Sequence, residues 1–162
     1  RSSDLDRIIE REGGYTEDQG GPTNFGITIP SLGDFRKKRV TKEDIEELDI
    51  KEAREFYLWW FKRYGLDLIE NSNLQELLFD CMVNHGPDRA IRWLQTIAKV
   101  TVDGKLGKGT SSAVNSISTA IYYELVGHRI KFYVELAINN WSKNGPSLKG
   151  WINRGTKFIK EI

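Results

Sequence analysis

Three features of this 162-residue chain predict an all-α fold with little or no sheet. Apolar residues recur at helical rather than strand spacing over most of the length. Capping patterns open several of these runs, and glycine or proline closes them. No repeat, low-complexity stretch or linker interrupts the series, and the length suits one domain with a proper core, so a single globular unit is expected.

In chain order, Ser3 caps a first helix over about 4–12, and Gly13 and Gly14 stop it immediately after Glu12. A polar loop follows, turned by Gly20, Gly21, Pro22 and Gly26. Pro30-Ser31 opens a short helix near 31–38, and Thr41 with Asp44 forms a capping box for another near 42–47. Asp49-x-x-Glu52 caps a stronger helix near 50–63 carrying Ala53, Phe56, Tyr57, Trp60 and Tyr64. Asn73-x-x-Glu76 starts one near 74–84, whose apolar face holds Leu74, Leu77, Leu78, Cys81 and Met82. Gly86-Pro87 separates it from a helix near 87–99. A turn-rich connector spans 100–110, a long helix near 111–140 carries a break around 117–119, and Gly145-Pro146 precedes a last helix over about 148–160. The one weak sub-boundary falls near 85–88, which divides the chain into halves 1–86 and 87–162 packed as one domain.

Composition excludes several functions. A net charge of +1 gives no electrostatic argument for nucleic acid. One cysteine excludes an intramolecular disulfide and any multi-cysteine zinc site, and two histidines alone build no metal site. No apolar run approaches the ~20 residues of a membrane helix. No signal peptide is visible, and the sequence opens on Arg1 rather than a methionine, so an export or anchor segment preceding it stays an open alternative. A monomer without metal or organic cofactor, and without stable membrane insertion, is expected.

The stretch with chemical content is 12–28. Glu12 falls on the last turn of a helix, where the dipole disfavours a carboxylate and raises its pKa, as a proton donor requires. Beyond the glycines come Tyr15, Glu17, Asp18, Thr23, Asn24 and Thr28. Two carboxyl groups across a gap are the minimum for cleaving a glycosidic bond. The alternative is a solvated helix end followed by an acidic turn.

Glu12-Gly13-Gly14-Tyr15 followed by Asp18-Gln19-Gly20-Gly21-Pro22-Thr23-Asn24-Phe25-Gly26-Ile27-Thr28 resembles the signature of glycoside hydrolase family 108, lysozyme-like N-acetylmuramidases found as phage endolysins and bacterial secretion activators. Phe79-Asp80-Cys81-Met82-Val83-Asn84-His85-Gly86 resembles a further family segment. Trp93-Leu94-Gln95 and Val102 to Thr110 resemble the family's predicted peptidoglycan-binding half, and Gly150-Trp151-Ile152-Asn153-Arg154 its closing motif. The resemblance covers nearly the whole chain in order. It implies a lysozyme-like helical fold and hydrolysis of the β-1,4 bond between N-acetylmuramic acid and N-acetylglucosamine in glycan strands of the cell wall, outside the cytoplasm.

Carried onto this chain, the resemblance makes Glu12 the general acid, with Asp18 and Thr23 directing a water. The interval from Glu12 to Asp18 is shorter than is usual in the family, which leaves Glu17 as the alternative second acid. If Asp18 and Thr23 direct the water, the carboxyls should stand roughly 6.5–9.5 Å apart and the anomeric configuration should invert. Tyr15 and Phe25 either stack on a sugar or anchor the loop. Asn24 is a further substrate contact, and Trp59 is the better groove candidate on its helix, with Trp60 in the core. Asp80 and Asn84, four apart on one helical face, either bind an N-acetyl group or brace the loop. Cys81 and His85 share that spacing, yet Cys81 lies on the apolar face and reads as an inert buried thiol. Asp103-Gly104 lacks the spacing of a calcium loop and is either a glycan contact or a turn. Two rivals stand beside the muramidase: a lytic transglycosylase using the same Glu12, and a non-catalytic wall-binding module.

Overall fold

The computed structural model describes residues 6, 9, 10, 12–18 and 20–159. Ser3 therefore lies outside the described residues, whereas Asp6, Ile9, Glu10 and Glu12 are helical and Gly13 leaves the helix at φ +77°. The chain forms two compact units, one ending at Arg63 and the other beginning at Tyr64.

The fold is mostly helical, as expected, and the little sheet it has among the described residues lies in the first unit. Its polar loop is a small antiparallel sheet of β1 (Thr16–Asp18), β2 (Gly21–Asn24) and β3 (Ile27–Thr28). Thr16 pairs with Thr23 and Thr23 with Thr28, so three hydroxyls line up across one face of the sheet. Strand alternation adds Asp18 to that face and sends Glu17 to the other. Glycine spacing reveals the turns of such a loop, but strands this short have too few residues to show alternation.

Helices α1 (Ile29–Arg36), α2 (Lys42–Glu46) and α3 (Ile50–Tyr64) complete the unit. Thr28 caps α1 in a box with Ser31, and Thr41 caps α2 in a box with Asp44. Asp49 accepts from the Glu52 amide at the start of α3. Ile27, Leu32, Ile45, Ala53, Phe56 and Tyr57 are buried between these elements. Arg36 binds Glu52 with two nitrogens, 2.6 and 2.7 Å, and Asp44 at 2.5 Å, which ties the three helices together.

The second unit comprises a 3-10 turn (Leu66–Leu68) and helices α4 (Ser72–His85), α5 (Pro87–Ile97), α6 (Lys108–Ser116), α7 (Ser118–Asn139) and α8 (Trp141–Thr156). Asn71, not Asn73, caps α4. The expected apolar face of α4 is fully buried, and α4 packs on α5 and α7. That packing places α4 with the C-terminal unit, so the compact units divide well before the junction the motifs suggest. Gly86 joins α4 to α5 at φ +85° and ψ 145°, a conformation open to glycine and strained for other residues. The long helix does break, at Ile117.

The last helix starts earlier than expected, at Trp141, and runs through Gly145-Pro146. Asn140 caps it by accepting from the Lys143 amide. Pro146 sits close enough to that end to cost one helical hydrogen bond, and the preceding glycine eases its clash with the backbone. None of the described helices is long and apolar enough to cross a membrane.

Candidate active site

Glu12 sits at the end of the leading helix, and its carboxylate lies directly on the turn between β2 and β3. A Cβ built on Gly26 would meet Glu12 Oε2 at 2.9 Å, Tyr57 Oη at 3.1 Å and Glu12 Cβ at 3.2 Å. Phe25 and Gly26 both have positive φ, +52° and +74°, and Asn24 pairs with Ile27 around them. This is the two-residue hairpin turn whose twist matches its strands. Phe25 accepts the strain of that conformation, and its carbonyl is held by the Tyr57 hydroxyl at 2.6 Å. Burial first, and the Glu12 carboxylate second, push the Tyr57 phenol far above its usual range, so it serves as a fixed O–H donor.

The hairpin sorts its two acids. Glu17 binds Lys42 at 2.6 Å and accepts from the Tyr15 hydroxyl at 3.2 Å, and the Lys42 contact holds its pKa low. Asp18 uses one oxygen to accept from the Gly20 amide at 2.7 Å, closing its own turn. Thr23 shares a 3.0 Å hydrogen bond with Thr16 on the Asp18 face. Tyr15 is exposed and Phe25 half-buried.

Two of the expected substrate contacts in this unit make packing or hydrogen-bond contacts within the fold. Asn24 is buried, and its amide donates to the carbonyls of Ile45 and Leu48, pinning the sheet to the end of α2. Trp59 is half-buried against Phe35 and Phe56, with Arg63 stacked over it at 5.1 Å. Trp60, expected in the core, is also half-buried.

In the second unit, Asp80 is a brace: it is buried and pairs at 2.5 Å with Arg129, whose side chain is fully buried. Arg129 Nε also donates to His85 Nε2 at 3.2 Å. That hydrogen bond puts the imidazole hydrogen on Nδ1. Burial and the neighbouring Arg129 push the His85 pKa down to about 4. Cys81 is buried, and its thiol is pushed up to about 12, so it is an inert core group. Asn84 is exposed, donates to the Asp80 carbonyl at 2.7 Å and accepts from Arg154. The Asp103 turn is closed internally, because buried Gln95 donates to Asp103 Oδ1 at 2.7 Å and accepts from the Gly104 amide at 2.9 Å.

Sequence reasoning missed Tyr57 and Arg129. Tyr57 reads as one more apolar residue of a helix. A buried arginine within an apolar helix is a signal, but nothing in spacing names Asp80 as its partner.

A helix-end acid on a glycine turn, beside a hydroxyl-bearing hairpin with a second acid, is equipment suited to a glycoside hydrolase. The chain belongs to the glycosyl hydrolase 108 family, whose model matches residues 5–86. Residues 89–156 match a second model, described as a predicted peptidoglycan domain, and the pair identifies a peptidoglycan hydrolase. A solved structure of Brucella abortus SagA is similar at 25% identity and a TM-score of 0.74, covering 99% of this chain and 95% of that one. Among curated proteins none matches.

Proposed function

We propose that the chain is an N-acetylmuramidase that hydrolyses the β-1,4 bond between N-acetylmuramic acid and N-acetylglucosamine, with Glu12 as general acid. The observation that carries this reading is the seat of Glu12 on Gly26, beside the Tyr57 hydroxyl. The helix end disfavours the charged carboxylate, and the missing side chain of Gly26 leaves the space that the Glu12 oxygen occupies. As the glycosidic bond breaks, the Glu12 proton goes to the bridging oxygen, and the sugar left behind gains oxocarbenium character. Asp18 and Thr23 hold the water that attacks it, supported by their shared face of the sheet. Glu17, paired with Lys42, is the poorer choice for that role. Tyr15 and Phe25 offer aromatic surface to the sugars. The site of action is the cell wall, outside the cytoplasm.

The lytic transglycosylase is the second reading. It is favoured by the hydrogen bond that ties Asp18 to its own turn. Mass spectrometry of the released muropeptides separates the two. Hydrolysis gives reducing muramic ends one water heavier than the anhydro ends of a transglycosylase, and Asp18→Asn should suppress their release. Anhydro ends from the wild type, with Asp18→Asn unimpaired, would replace the hydrolytic mechanism by the other.

A further inference from the structure

The second unit contains a pocket of about 220 Å³ whose lining includes His85, Arg89, Tyr133, Trp151 and Arg154. Its wall is aromatic, with Trp151 stacked on Tyr133 at 5.4 Å and 19°. Its charge is one-sided. Arg89 and Arg154 are exposed, and neither has a carboxylate partner among the described residues. Arg89 lies over the Phe132 ring at 5.1 Å, and Arg154 donates to Asn84. Among the described residues, no acid lines the cavity. Behind it, Arg129 anchors both His85 and Tyr133, which fixes the wall.

Exposed arginines above an aromatic wall suit an anionic group with some apolar surface. The sugars of peptidoglycan are neutral once the muramic carboxyl is amidated, whereas its stem peptides carry free carboxylates. The volume is below the roughly 300–1,000 Å³ of a drug-sized site, so the pocket takes a residue or two rather than a strand. We propose that this pocket is a subsite for a stem-peptide carboxylate of peptidoglycan, held by Arg89 and Arg154 against Trp151. The inference rests on the wall polymer being the substrate, and it gives the C-terminal unit a role in reading peptide rather than sugar.

The test uses the full chain carrying Glu12→Gln, so that polymer is bound and not consumed. Binding is measured to purified peptidoglycan and to the same material stripped of its stem-peptide charge by carbodiimide coupling of the free carboxylates to methylamine, which leaves the muramic amide intact. Two exposed charge contacts together correspond to about a fivefold change in binding. The stripped polymer should bind more weakly by that factor, and Arg89→Gln/Arg154→Gln should bring intact polymer down to the same level. Arg89→Lys/Arg154→Lys should recover part of the loss, which a folding defect would not. Equal binding to both polymers, or a glutamine variant that binds intact polymer as its parent does, overturns the subsite. So does full competition by inorganic phosphate at concentrations where free stem tripeptide competes poorly. Cleavage by the wild-type chain is scored separately: failure there removes the muramidase reading, while the binding comparison still decides the pocket.

Discussion

Gly26 has no side chain because Glu12 and Tyr57 occupy the space one would need. Its φ of +74° adds a second constraint, since an L-residue there costs about 1–2 kcal/mol. Gly26→Ala should therefore lower stability by about that amount in urea titration. It should also displace the Glu12 carboxylate, and clearing of peptidoglycan should fall well below what the lost stability accounts for at a temperature where the variant remains folded. Unchanged clearing would mean that the seat of Glu12 does not matter. Glu12 and Gly13 were legible in the sequence because an acid followed by two glycines is a local signal. Tyr57 was not, because a hydroxyl that closes a site from another helix leaves no mark at a fixed spacing.

At the scale of elements, His85 ends α4 with its ring against Trp93 of α5 and against Phe132 and Tyr133 of α7. It is packed as a neutral group, with its folded pKa lowered from 6.5 to about 4. Between those values the unfolded chain binds a proton that the folded chain refuses, so stability rises with pH across that window. The contribution is fully present above 6.5 and is lost as pH falls toward about 4. Melting temperatures measured across this range should fall on acidification, and His85→Gln should flatten that part of the slope; parallel slopes would contradict the packing argument. The same helices show where sequence patterns carry. Caps such as Thr41 and Asp49 lie within a few residues of the amides they bind, so α2 and α3 were readable. The early start of α8 was not, because Gly145-Pro146 reads as a breaker until Asn140 is seen to cap the helix ahead of it.

For the whole molecule, motif boundaries and packing boundaries differ. The family match ends at residue 86, yet α4 buries Leu74, Leu77, Leu78 and Met82 within the unit that begins at Tyr64. Asp80 on the same helix depends on Arg129 of α7. A fragment of residues 1–86 would expose that apolar face to water and lose Arg129, the buried partner of Asp80. It should show no cooperative melt by circular dichroism, whereas a sharp transition would make the N-terminal half a folding unit. Periodicity revealed the apolar face of α4 but not which helices cover it, because covering is a long-range property.

In the proposed reaction the Glu12 side chain delivers the proton. Release of reducing ends from purified peptidoglycan, compared for the wild type and Glu12→Gln at matched thermal stability, tests it most directly. Glu12→Gln should lose at least about a hundredfold of that release, the scale of a general acid's contribution, with the melt nearly unchanged. Release by Glu12→Gln at the wild-type rate would contradict it.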